Sequence, residues 1–178
     1  IITESVNALS IFHKENIGIG LSGIKYPGVY SNIFKEFGLK PFIECKHNLY
    51  ESHIDRYKKY FTNNIICTYG SNMGGLNLDN KYSDQSSIVL RCIDDKKYYK
   101  FINNINSTIA KYNNELPMKI TTLNQLSLIE ILFNDLIKGL IIAPSNLNQL
   151  NSTLSDYEIC STINSNHSKK IFSIMYNE

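Results

Sequence analysis

Three short runs of small hydroxyl, amide and glycine residues are the first places where this sequence could do chemistry. Ser22, Gly23 and Lys25 follow one apolar run; Thr68, Tyr69, Gly70 and Ser71 close another; Thr121, Thr122 and Asn124 precede a strongly apolar helical pattern. Such groups suit a carboxylate or another small anion, above all where a helix N-terminus adds unpaired N–H donors and a positive dipole end. Each run also has a plainer use: Ser22 and Thr122 as N-caps, Gly70 as a turn glycine. Cys45 and His47 would share one face of a strand, with His53 just beyond. No close fourth ligand accompanies them, so neither a metal nor a cofactor is expected. Asp94-Asp95 beside Lys96-Lys97 reads as a solvated turn, and His13 and His167 fall in flanking segments.

Catalytic motifs are missing. There is no G-x-S-x-G elbow, Walker loop or H-E-x-x-H, and GIGLSG lacks the spacing of a dinucleotide-binding turn. The expectation is that the chain is not an enzyme.

The elements that must position these runs alternate. Ile17–Leu21 reads as a strand, Val29, Ile33, Phe34 and Phe37 as a helix stopped by Gly38, and 41–47 as a second strand. Tyr50, Ile54, Tyr57 and Phe61 mark a second helix and 65–71 a third strand, a β-α-β-α-β order that implies a parallel sheet packed by helices. A fourth strand is expected over 86–92, a helix through Tyr99, Ile102, Ile105 and Ile109, and a fifth strand over 116–122. Leu126, Ile129, Phe133, Leu136, Ile137 and Leu140 predict a long buried helix ended by Gly139, followed by a strand over 140–143 and a break at Pro144. The period-2 alternation of SDYEICSTI and KKIFSIMY predicts a closing pair of strands.

A chain of 178 residues suits one domain or two small lobes. The net charge is +2, and the densest basic run, Arg56-Tyr57-Lys58-Lys59, is short, which argues against direct nucleic-acid binding by this chain. The four cysteines form no C-x-x-C pair and read as reduced, buried thiols of a cytoplasmic protein; no signal segment or apolar run of membrane length occurs. Asn106, Asn151 and Asn166 begin N-x-[S/T] sequons, as expected by chance in an asparagine-rich chain.

The order of elements resembles the effector-binding (co-inducer) domain of LysR-type transcriptional regulators, which has the type 2 periplasmic-binding-protein fold. NIGIGLSG is similar to that domain's first strand. IFKEFGLKPFIECKHNLYESHIDRYKKYFTNNIICTYGS is similar to its next helix, strand, helix and strand. LDNKYSDQSSIVLRCIDD resembles the stretch where a strand leaves the first lobe, and LPMKITTLNQLSLIEILFNDLIKGLIIAPSNL the run of strand, long helix, glycine, short strand and proline.

The resemblance implies an α/β fold of two lobes with mainly parallel sheets flanked by helices, the second lobe reduced because 92–115 holds a single helix. It implies a linker or helix tail over 1–16, a first lobe over 17–91 and 145–178, and a second lobe over 92–144. It further implies a small, anionic effector held between the lobes by the three runs above, and a homodimer or tetramer paired through the helix 29–37 and an edge strand near 41–47. DNA would be bound only through a winged-helix domain upstream, and the membrane not at all. Two other readings stay open. One is an exported solute-binding protein of the same fold. The other is a racemase-like enzyme using paired cysteines, to which IGIGLSGIKYPGVYSNIFKEFGLKPFIE is loosely similar.

Overall fold

A computed structural model describes residues 1–75 and 96–176. In chain order these form α1 (Ile2–Lys14), β1 (Gly20–Ser22), α2 (Pro27–Glu36), β2 (Phe42–Lys46), α3 (Ile54–Lys58) and β3 (Ile66–Tyr69). Then follow α4 (Lys96–Tyr112), α5 (Leu123–Leu132), β4 (Gly139–Leu140), α6 (Leu147–Ser161) and α7 (Ser165–Tyr176). The chain divides into two compact units, one of residues 1–47, 51–69 and 136–141, the other of 48–50, 70–135 and 142–178.

The first unit is an α/β layer. Its four strands lie in the order β1-β2-β3-β4, all parallel. Parallel neighbours need a crossover, which α2 and α3 supply for the first three strands. Leu21, Ile43 and Ile66 align across the sheet. With Cys45 and Thr68 they make one buried face, because side chains two apart share a side. Phe34 of α2 and Ile54 and Tyr57 of α3 are buried as well. Burying each large apolar side chain is worth roughly 1.5–3 kcal/mol.

The end of α2 shows how one residue sets a boundary. Gly38 has φ +65, its N–H bonds Lys35 O at 3.0 Å, and the Leu39 N–H reaches back to Phe34 O at 2.8 Å. This paired closure satisfies the last carbonyls of the helix and requires a left-handed residue, as the sequence predicts for Gly38. A Cβ there meets nothing within 4 Å, so the cost of a side chain is purely conformational. Gly38→Ala is expected to destabilise the fold by about 1 kcal/mol, measured by denaturant unfolding; a neutral result would contradict the left-handed closure.

The described part of the second unit is helical. α5 carries apolar residues around most of its circumference and buries Leu123, Leu126, Leu128, Ile129 and Ile131. It packs on α6, while α4 packs on α7. No described helix is long and apolar enough to cross a membrane.

Several sequence expectations are corrected. The segment 116–122 is not a strand. The Ile120 N–H bonds Asn113 Oδ1 at 3.1 Å, and the N–H groups of Thr121 and Thr122 bond Gln125 Oε1 at 2.9 and 3.3 Å. With the donors of Ile120, Thr121 and Thr122 taken by side chains, that end of the segment has none left for a ladder. The long helix stops at Leu132 rather than Gly139, with Phe133 as its C-cap. Gly139 instead opens β4, which pairs with β3 in the first unit's sheet, not in a sheet of a second lobe. A Cβ on Gly139 would lie 3.1 Å from the Cys67 thiol, so the close strand approach favours glycine.

The two closing strands are helices α6 and α7. Asn146 caps α6 by accepting from Gln149 N, and Asn164 Oδ1 accepts from His167 N at 2.9 Å. The buried pairs, Asp156 with Cys160 and Ser168 with Ile171, recur at helical spacing. The strand expected over 86–92, Cys92 and the Asp94-Asp95 turn lie outside the described residues.

Candidate functional site

At the carboxyl edge of the first unit's sheet, β1 ends in Ser22, exposed, and Gly23, which has φ +61 and open space around its Cα. Buried Ile24 anchors the turn, and its carbonyl accepts from the Tyr57 hydroxyl at 3.4 Å. Lys25 projects outward, and its carbonyl accepts from the Arg56 guanidinium. α2 then begins at Pro27 with no side-chain cap and no acidic residue in its first turn, a local field that favours an anion.

β2 leads into a polar cluster. The Lys46 ammonium donates to Glu51 Oε2 at 2.9 Å, and His53 Nε2 lies 3.0 Å from Glu51 Oε1. His47 Nδ1 lies 2.9 Å from Ser52 Oγ, and that oxygen also accepts from Ile54 N at 3.3 Å as α3 begins. The hydrogen bond from Lys46, reinforced by its charge and by His53 against the opposing effect of burial, holds the Glu51 carboxyl below its usual range. A carboxyl depressed by folding stabilises the native state above its unfolded pKa, and that contribution is lost as pH falls through the depressed value. Acid titration of unfolding should show this loss, and Glu51→Gln should flatten it; a variant with the same acid slope as the parent would refute the coupling.

β3 ends in Thr68 and Tyr69. Thr68 aligns with Cys45 on one side and Leu140 on the other. It is 0% exposed, and its hydroxyl has no hydrogen-bond partner among the described residues. A buried hydroxyl without a partner is costly, typically by about 1–3 kcal/mol, which singles it out from the satisfied groups around it. Tyr69 is half-buried beside Lys46.

The remaining runs belong to the second unit. Gly70 has φ +74, and its carbonyl accepts from Asn48 Nδ2 at 3.3 Å. Ser71 is buried, with its carbonyl accepting from Ser127 Oγ at 3.1 Å. Thr122 is the N-cap of α5 in a capping box with Gln125. Its hydroxyl donates to Asp156 Oδ2 at 3.0 Å, where Asn124 Nδ2 also donates at 2.8 Å; Gln125 Nε2 donates to Asp156 Oδ1 at 3.0 Å. Thr121 turns its hydroxyl to Gln125 Oε1 at 3.2 Å. The donors expected to hold a carboxylate thus do hold one, and it is the chain's own. Asp156 is 6% exposed.

The ten expected site residues therefore fall five to each unit: Ser22, Gly23, Lys25, Thr68 and Tyr69 in the first, Gly70, Ser71, Thr121, Thr122 and Asn124 in the second. In the second unit Thr121, Thr122 and Asn124 are committed to internal bonds. No protein-family model matches the chain, and no curated protein matches it. The site is therefore read from its own geometry.

Burial speaks against thiol chemistry at Cys45 and Cys160. Burial raises the Cys45 thiol to about 11, with Cys67 and Glu44 adding to the effect, and raises Cys160 to about 12, with Asp156 adding. Both stay protonated at neutral pH, where a thiolate nucleophile or metal ligand must be ionised. Among the described residues no group of three or more histidines, cysteines or acids is arranged to hold a metal ion. Asp156, Gln125, Glu51 and Ser52 escaped the sequence reading. Asp156 and Cys160, four residues apart and both buried, are the helical signal that the apparent alternation in SDYEICSTI concealed.

Proposed function

We propose that this chain is a non-catalytic, ligand-sensing domain, similar in role to the effector-binding domains of LysR-type regulators. In this reading a small anion binds at the carboxyl edge of the parallel sheet, beside the uncapped N-terminus of α2. The observation that carries it is Thr68: a fully buried hydroxyl near the end of β3 with no partner among the described residues, on the sheet whose first strand ends in Ser22 and is followed by Gly23 and Lys25. Lys25 supplies charge, Gly23 permits close approach to the backbone, Thr68 supplies a donor from the buried face, and Ser22, which the pleat turns to the other face, supplies one from the end of β1.

The finer parts of the reading are also proposals. They comprise two type 2 periplasmic-binding-protein lobes, a cytoplasmic setting, pairing of two copies through α2 alone, since β2 is not the expected edge strand but lies between β1 and β3, and DNA contact by the regulator through a separate domain. An effector would shift the domain between states only by the difference in its affinity for them.

A thermal-unfolding screen of small carboxylates and phosphates tests the reading. A ligand at 100 times its Kd should stabilise the fold by about 2.7 kcal/mol, and the gain should vanish in Ser22→Ala and Lys25→Ala. Stabilisation unaffected by both substitutions would refute this location, and a screen without any stabilising anion would refute the function.

A further inference from the structure

By itself the basic run at 56–59 is too short to predict nucleic-acid binding, and folding enlarges it. Lys25 is brought beside it by the bond from the Arg56 guanidinium to the Lys25 carbonyl. Arg56, Lys59 and Tyr60 follow at spacings of three and four from α3 into its C-terminal turn, so they project from one side. Tyr60 is fastened to α2: Ser31 Oγ donates to its carbonyl at 2.8 Å, and its ring lies against Gly28, where a Cβ would come within 2.9 Å. The segment 24–31 and α3 are thus joined at several points and hold their cations and rings in fixed relation.

Within this patch Lys25 lies over the Tyr26 ring at 5.5 Å and Lys59 over the Tyr60 ring at 4.8 Å. Tyr26 is 57% exposed and Tyr60 36%. Asp55, next to Arg56, is paired with Lys58 at 2.5 Å, and among the described residues Lys25, Arg56 and Lys59 form no ion pair. Cations interleaved with exposed aromatic rings are the chemistry that binds single-stranded nucleic acid, phosphates on the cations and bases stacked on the rings. A duplex, with its bases already stacked inside, uses only the charge.

We infer that the patch of Lys25, Tyr26, Arg56, Lys59 and Tyr60 binds a short stretch of single-stranded nucleic acid. It shares Lys25 with the proposed anion site, but its test uses Tyr26 and Lys59, so either can fail alone. Fluorescence anisotropy of the whole chain with a labelled oligouridine of about ten nucleotides should show saturable binding. Three neutralised phosphates predict a log K against log salt slope of about −2. Tyr26→Ala should weaken binding about tenfold with the slope unchanged, and Tyr26→Phe should restore it. Lys59→Gln should reduce the slope by about 0.7. Both positions are exposed, so these variants keep the fold. The inference is overturned by absence of saturable binding at low salt, by equal binding of a duplex, by indifference to Tyr26→Ala, or by a preference for anionic vesicles.

Discussion

Replacing Asp156 by alanine should destabilise the chain by about 3 kcal/mol, the largest single-residue effect expected outside the apolar core. The side chains of Thr122, Asn124 and Gln125 all donate to this one buried carboxylate, and Thr122 and Gln125 also close the capping box that starts α5. Removing the acceptor leaves three donors facing a cavity in the packing of α5 on α6. Asp156→Asn should cost less, since an amide oxygen still accepts while its NH2 group confronts other donors. Formate, small enough for the vacated space, should restore part of the stability of Asp156→Ala and none of that of a control such as Leu126→Ala. Chemical denaturation of the three variants with and without formate measures this. A loss below about 1 kcal/mol for Asp156→Ala would show that the network does not hold the two helices.

The second large effect has the opposite sign. Thr68→Val keeps shape and β-branching but removes the hydroxyl that has no partner among the described residues, in a strand where valine is at least as favourable. The variant should be more stable than the parent by about 1 kcal/mol in the absence of ligand. It should also lose the stabilisation that a small anion confers on the parent. Groups retained at a cost to stability mark functional positions, and this pair of outcomes separates a binding hydroxyl from a packing accident. A Thr68→Val protein less stable than the parent would mean that the hydroxyl has a partner after all.

The first half of the chain was legible because its local signals agree. Alternation in β2 and β3, Pro27 and Gly38 at the two ends of α2, and short links all call for the same βαβ order, and the structure follows it. The second half was less so. In 116–122 the composition suits a strand, but Asn113 and Gln125 take the backbone donors of Ile120, Thr121 and Thr122, which periodicity does not register. In α6 and α7 a few residues of chance alternation outweighed capping asparagines at 146 and 164. β4 is too short for its partner to be read from sequence, and the tight fit of Gly139 on Cys67 depends on a neighbour seventy-two positions away. Of the site, the residue types were legible and their commitments were not: Thr122 and Asn124 were expected to face a foreign carboxylate and face Asp156 instead.

The most direct test is to follow backbone amide resonances of the whole chain as a stabilising carboxylate is titrated to saturation. The account predicts that the largest shifts fall on Ser22, Gly23, Lys25, Thr68 and Tyr69, with Thr122 and Asn124 unmoved because Asp156 already occupies their donors. Shifts centred on α5, or spread over the chain without the residues that end β1 and β3, would contradict it.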